Sequence, residues 1–84
     1  GIVSTVMDEV MTRMLWERGI SAMTAELTVR LKRPAPVGRP LTARARLVSQ
    51  RKRLYETEAE LTLEDGAVSA TATGKFLQVD APGD

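Results

Sequence analysis

The chain has 84 residues, of which 43% are hydrophobic, and its formal net charge is +1. This length suits one small domain or part of one, and the apolar fraction is ordinary for a globular domain and argues against disorder. There is no cysteine and no histidine, which excludes disulfides, thiolate metal sites and serine–histidine catalysis within these residues.

Neither a signal peptide nor a membrane-spanning segment is visible, so the default expectation is a cytoplasmic protein without a membrane partner. The apolar first stretch is interrupted by Asp8, Glu9 and Arg13 well before spanning length. The charges divide along the chain, because most Lys and Arg residues precede residue 54 and most Asp and Glu residues follow it. Such a division indicates a nucleic-acid or membrane surface, or basic and acidic strands that lie side by side.

The first stretch, 1–19, is predicted to be a helix with a wide apolar surface. At about 100° per residue, its apolar side chains fall in an arc roughly 220° wide. They are Ile2, Val3, Val6, Met7, Val10, Met11, Met14 and Leu15. An ordinary surface helix has a stripe of about 100°, so this arc predicts a helix wrapped by a curved surface. Gly19 predicts a left-handed cap that ends the helix.

Four alternating segments follow, and each predicts a strand with one buried face. They are 23–32, 41–48, 54–64 and 67–79. In the first segment, Met23 and Ala25 are predicted to face inward and Thr24 outward. In the last, Gln78 falls on the inward side and ends the apolar pattern. Asp65-Gly66 predicts a hairpin in which both turn positions have positive φ.

Many inward residues of the later strands are small, which lets a sheet approach a helix closely. They are Ala43, Ala45, Ala59, Ala70, Ala72 and Gly74. Together with the wide apolar arc, they predict an α+β fold in which an antiparallel sheet curls around one central helix. The last three strands are predicted to be consecutive antiparallel neighbours.

Several segments together resemble the hotdog-fold acyl-CoA thioesterases of the PaaI-like type. Residues 1–9, GIVSTVMDE, are similar to the family's central helix, which opens with His-Gly-Gly and carries an acid two turns later. Residues 23–29, MTAELTV, resemble its Thr-Ala-x-Leu strand, and a Pro-x-x-x-Gly connection follows at 34–38. Residues 65–66 and the Ala-x-Ala-x-Gly run at 70–74 resemble its closing hairpin.

The resemblance covers nearly the whole chain and implies a hotdog fold, with one departure. Gly1 matches the second glycine of His-Gly-Gly, so the histidine, the first glycine and the preceding strand or strands are absent. We therefore expect residues 1–80 to form a single hotdog domain that lacks its N-terminal strand or strands. Residues 81–84 are expected to form a flexible tail.

The activity that the resemblance implies is hydrolysis of an acyl-CoA thioester to free acid and CoA. No metal is implied, and no cofactor apart from the coenzyme A that is part of the substrate. A homodimer or homotetramer is implied, because in this family the acid and the oxyanion donor of one site come from different subunits. The alternatives are a non-catalytic hotdog domain that binds acyl groups or assembles, and a hotdog dehydratase, whose chemistry relies on a histidine.

Asp8, Thr24 and Gly1 are the candidate catalytic residues. A carboxylate beside apolar side chains is poorly solvated and therefore a stronger base, able to activate water or attack a thioester. Without the resemblance, an ordinary surface acid is favoured for Asp8, and Glu9 is expected to pair with Arg13. The resemblance makes Asp8 the catalytic acid and Thr24 the residue that holds water, although an ordinary outward threonine is equally consistent. Gly1 would neighbour the oxyanion hole at the helix N-terminus.

Lys52 and Arg53 are the candidate CoA-binding residues, in a basic turn at 51–53. The family often has Gly-Arg here, so Arg53 matches and Lys52 replaces the glycine. A solvated hairpin tip is the ordinary alternative.

Arg44 and Arg46 are predicted to lie opposite Glu60 and Glu58 as a ladder of opposite charges. This pairing explains the charge division without a nucleic-acid partner, and the chain has only three aromatic residues with which to stack bases. One of them, Trp16, lies on the polar arc of the helix and is expected to be covered by a second subunit or an acyl chain.

Overall fold

The structure, a computed structural model, describes residues 2–36 and 38–79. One helix is followed by four strands: α1 (Ile2–Glu17), β1 (Ala22–Leu31), β2 (Thr42–Arg51), β3 (Leu54–Thr62) and β4 (Val68–Gln78). The predictions for Gly1 and for the tail at 81–84 lie outside the described residues. Over the described ranges, no helix is long and apolar enough to cross a membrane.

The four strands form one antiparallel sheet in the order β1-β4-β3-β2. The prediction that the last three strands are consecutive neighbours is confirmed, and β1 pairs with the far side of β4. The predicted ladder of opposite charges is confirmed too. Arg44 lies opposite Glu60 and Arg46 opposite Glu58, and Arg46 Nε donates a hydrogen bond of 2.9 Å to Glu58 Oε1.

The core lies between α1 and one face of the sheet. Its buried apolar residues are Met7, Met11, Leu15, Tyr55, Ala59, Leu61, Ala70, Ala72 and Phe76. The described strands bury only the centre of the wide apolar arc of α1. The side of the arc nearest β2 borders an open groove of about 380 Å³, lined in part by Val6, Val10, Met14 and Ala43.

Gly19 ends α1 as predicted, with φ +81°. The Ile20 N–H donates to the Leu15 carbonyl and the Gly19 N–H to the Trp16 carbonyl, each at 2.9 Å. These two bonds form the Schellman arrangement, which satisfies carbonyls left without partners at a helix end. The cap turns the chain directly towards β1.

The hairpin at Asp65-Gly66 is confirmed, but its turn differs from the predicted one. Only Gly66 has positive φ, at +87°. Three residues separate Leu63 from Ala67, and the Leu63 N–H donates a hydrogen bond of 2.8 Å to the Ala67 carbonyl. Asp65 contributes through its side chain instead, because its Oδ1 accepts a bond of 2.9 Å from the Ala67 N–H.

The prediction for the faces of β1 was wrong at its start. The register against β4 shifts between Thr24 and Glu26, which marks a bulge at Ala25. The extra residue reverses the alternation, so Thr24 lies on the helix side and Met23, 57% exposed, lies on the outer side. After the bulge, Leu27 and Val29 pack on the core as predicted.

Gly74 lies where α1 comes close to the sheet. A Cβ atom added there would be 2.7 Å from Phe76 Cε1 and 3.2 Å from Met11 Sδ. Separations this short require the Phe76 ring and the end of the Met11 side chain to move.

We expect Gly74→Ala to lower the free energy of unfolding by about 1–3 kcal/mol, the usual cost of overpacking a core. Urea denaturation measures it. Thr73→Ala is the matched control, because Thr73 is exposed on the neighbouring position of the same strand, and it should change stability by less than about 0.5 kcal/mol. Equal stability of Gly74→Ala and the parent would contradict the close approach.

Candidate active site

Asp8 lies in the second turn of α1, half-buried, on the side of the helix that faces the start of β1. Its Oδ1 accepts a hydrogen bond of 2.6 Å from the Thr24 hydroxyl. A bond this short is typical of an O–H donor on a carboxylate. The structure therefore brings together two of the three residues that the sequence suggested for catalysis.

Alternation predicted that Thr24 faces outward, and the bulge at Ala25 is the reason that it does not. Thr24 pairs with Phe76, a buried residue of the helix-facing side, so its side chain reaches towards α1. The sequence carries no local signal for this bulge. The resemblance to the thioesterase strand was the one observation that placed the threonine near the acid.

The third candidate, Gly1, lies outside the described residues. The described helix begins at Ile2, six residues before Asp8. At a rise of 1.5 Å per residue, Asp8 lies about 9 Å along the axis from the helix start. Any group held at the start of α1 is therefore well separated from the carboxylate of the same helix.

Glu9, the neighbouring acid, has a different partner. Arg13 Nη2 lies 3.3 Å from Glu9 Oε1, and the two side chains are 70% and 66% exposed. The predicted helix ion pair is confirmed. Glu9 thus belongs to the solvated surface of α1, and Asp8 is the acid that meets the sheet.

The basic turn, residues 51–53, joins β2 to β3 and is exposed. Lys52 has φ +56°, a backbone conformation that favours glycine. Lys52 therefore occupies a backbone conformation typical of glycine, the residue that the resemblance places at this position. The Arg53 carbonyl accepts a hydrogen bond of 2.8 Å from the Gln78 N–H.

The basic turn and the Asp8–Thr24 pair lie at the same end of the sheet. Tyr55, next to the turn, pairs with Phe76, which in turn pairs with Thr24. Two strand spacings separate Tyr55 from Thr24, or about 10 Å.

A hydrogen-bond chain that sequence reasoning did not find runs along this end of the sheet. Gln50 Nε2 donates to the Tyr55 hydroxyl at 3.1 Å, and the hydroxyl donates to Gln78 Oε1 at 3.3 Å. The available signal was Gln78 itself, a polar residue on an inward position. Its partners lie on other strands, so the sequence pattern could not show the bonds.

A concave region of about 820 Å³ lies on the outer face of the sheet, away from Asp8. Charged residues of both signs line it, among them Arg44, Arg46, Glu58 and Glu60. Because cross-strand pairs of opposite charge make up this part of the face, we place the candidate site at Asp8 and Thr24 instead. Within ranges 2–36 and 38–79, no three carboxylates gather as metal ligands would.

Comparison with known families identifies the chain. Residues 1–70 match the model of the family described as the thioesterase superfamily. The chain belongs to the thioesterase superfamily. A comparison with curated proteins gives no match.

Solved structures confirm the hotdog fold of this superfamily member. A Bacillus halodurans protein crystallised with CoA is 32% identical, with a TM-score of 0.83 over 94% of this chain and 54% of that one. The E. coli PaaI protein of the phenylacetic acid degradation operon is 22% identical, with a TM-score of 0.86 over 92% and 56%. A Thermus thermophilus thioesterase in complex with CoA and Zn is 19% identical, with a TM-score of 0.79 over 95% and 64%. The chain spans less than two thirds of each of these proteins.

Proposed function

We propose that this thioesterase-superfamily chain hydrolyses acyl-CoA thioesters to free acid and CoA, with Asp8 as the catalytic acid. The observation that carries the proposal is the 2.6 Å bond between Asp8 and Thr24, made across the helix–sheet boundary. Superfamily membership supports thioester chemistry, and the Bacillus halodurans relative at 32% identity contains CoA.

The Asp8–Thr24 pair suits the activation of a water molecule. The Thr24 hydroxyl donates a hydrogen bond to one carboxylate oxygen, so the hydroxyl oxygen can accept a hydrogen bond from water. Asp8 then accepts the proton of that water through its second oxygen as the water attacks the thioester carbonyl. The C–S bond breaks when the tetrahedral intermediate collapses, and the thiolate of CoA leaves and takes up a proton. Direct attack by Asp8 on the carbonyl is the alternative route.

The oxyanion donor is proposed to come from a second copy of the chain. Donors must lie about 2.7–3.1 Å from the developing oxyanion, and the attacking atom starts about 3–3.5 Å from the carbonyl carbon. The family resemblance supports a second copy as the source, because in that family the acid and the oxyanion donor of one site come from different subunits. The start of a second subunit's helix would then hold the oxyanion when the two copies pack together, with Gly1 as a neighbour of the donor.

The exposed side of β1 supports such packing. Within the described sheet, β1 is an edge strand that pairs only with β4. Trp16 is 68% exposed and Met23 57% exposed. An unpaired edge and exposed large apolar side chains are features that a partner subunit covers. We propose a homodimer, or a homotetramer built from it.

The basic turn is proposed to bind the phosphates of CoA through Arg53 and Lys52. Phosphate groups favour arginine and lysine partners. The turn lies at the end of the sheet that holds Asp8 and Thr24, so one extended substrate can reach both places.

We expect Asp8→Asn in the full-length protein to lower kcat for acyl-CoA by about 10²–10⁴-fold, the usual contribution of a general base. Asparagine keeps the shape and can still accept from Thr24, but it is not basic. Glu9→Gln is the matched control and should lose far less, because Glu9 contacts Arg13. If Glu9→Gln abolished turnover and Asp8→Asn kept it, the acid would be misassigned. If the parent hydrolysed no acyl-CoA, the acyl-binding or assembly alternative would replace the enzyme.

The assembly proposal predicts at least a dimer at micromolar concentration. Sedimentation velocity measures the mass directly. Trp16→Glu should shift the equilibrium towards monomer, since it places a charge on the proposed interface. Glu17→Lys is the comparison, because it changes the charge at a neighbouring exposed position. A folded, compact monomer of the parent at that concentration would refute the proposal.

For the basic turn, we expect Arg53→Ala to weaken CoA binding at low salt, with a smaller difference as salt rises, because salt screens exposed charges. Titration calorimetry at two ionic strengths measures this. Arg30→Ala is the matched control, an exposed arginine on β1 remote from the turn. Equal CoA affinity of Arg53→Ala and the parent at low salt would exclude Arg53 as a contact.

A further inference from the structure

The side chain of Gln78 is held in a defined orientation. Tyr55 is only 4% exposed, and its hydroxyl accepts from Gln50 and donates to Gln78 Oε1. The carbonyl end of the Gln78 amide is therefore engaged, and its NH2 group is turned away from Tyr55. Gln78 is half-buried, and its NH2 group bonds to no described residue, so its N–H donors are not used within the described part of the chain.

Gln78 also lies between the two parts of the proposed substrate site. On one side it pairs with Ala22 of β1, and on the other its N–H donates to the Arg53 carbonyl in the basic turn. Thr24 is two residues from Ala22 and lies on the same helix-facing side of the sheet. Diagonal neighbours of this kind are about 7–8 Å apart across a strand pair. A molecule that extends from the turn to Asp8 passes Gln78.

We propose that the Gln78 amide N–H donates a hydrogen bond to an amide carbonyl in the pantetheine arm of acyl-CoA. This inference rests on the proposed function, since it assumes that the phosphates bind at the basic turn and that the thioester lies at Asp8. The pantetheine arm joins those two ends of CoA and contains two amide groups, each with a carbonyl acceptor. Gln78 contacts the pantetheine arm and not the reacting carbonyl, so it affects binding of the CoA portion of the substrate and leaves the chemical step unchanged.

Three substrates with the same acyl group test the proposal in the full-length protein: acyl-CoA, acyl-pantetheine, and the acyl thioester of ethanethiol, which has no amide. Gln78→Met keeps the length of the side chain and removes the donor. It should raise KM about five-fold for the first two substrates, the size expected for one neutral hydrogen bond. The kcat should stay within about two-fold, and kcat/KM for the ethanethiol ester should not change.

Gln50→Met is the matched control, because it removes the glutamine amide at the other end of the same hydrogen-bond chain, where Gln50 contacts Tyr55 and is not proposed to contact the pantetheine arm. Its effect on KM should be smaller than that of Gln78→Met. The same loss on all three substrates would indicate a merely structural role for Gln78 and overturn the proposal, as would no change on any of them. If Gln78→Met does not fold, Gln78→Glu replaces it, since glutamate still accepts from Tyr55 and lacks the donor.

Turnover by the parent separates this proposal from the proposed function. If the parent hydrolyses acyl-CoA and the variants behave alike, only the Gln78 assignment fails. If the parent hydrolyses no thioester, the enzyme proposal fails, and binding of free pantetheine by titration calorimetry decides the role of Gln78. About five-fold weaker pantetheine binding by Gln78→Met then upholds the contact, and equal binding overturns it.

Discussion

The position of α1 depends on one close approach, between Met11 and the backbone at Gly74. Met11 is fully buried, and its sulfur accepts a hydrogen bond of 2.8 Å from Thr57, on the strand beside Gly74. Asp8 precedes Met11 by about one helical turn, so the depth of the helix in the sheet also sets the height of Asp8 above β1. The small residue at Gly74 thus belongs to the geometry of the candidate site as well as to the core.

The bulge in β1 completes that geometry. Without an extra residue at Ala25, the alternation that puts Leu27 on the core would put Thr24 on the outer face, away from α1. The same irregularity leaves Met23 exposed on the outer face. One local change in the strand therefore creates the contact with Asp8 and exposes an apolar side chain beside an unpaired sheet edge.

The sequence predicts most of this fold because local chemistry and tertiary contacts agree. Alternation located β3 and β4, and the position of the basic turn predicted the register of β2, in which Arg46 faces Glu58. Two features could not be predicted from the sequence because they depend on strand partners. The bulge before Glu26 and the bond from Tyr55 to Gln78 both arise between segments far apart in the chain. For the site, alternation placed Thr24 on the wrong face, while the family resemblance placed it near the acid. The chemical roles stay predictions.

The distribution of charge distinguishes one end of the sheet from the other. On the outer face, the acids of β3 lie opposite Arg44 and Arg46, so much of the basic half of the sequence is matched by the acidic half. The basic turn at 51–53 has three consecutive cations and no acid. Consecutive cations attract anions to their end of the sheet. Because Asp8 and Thr24 lie at the same end, the charge pattern agrees with the orientation proposed for acyl-CoA, with its phosphates at the turn and its carbonyl towards Asp8.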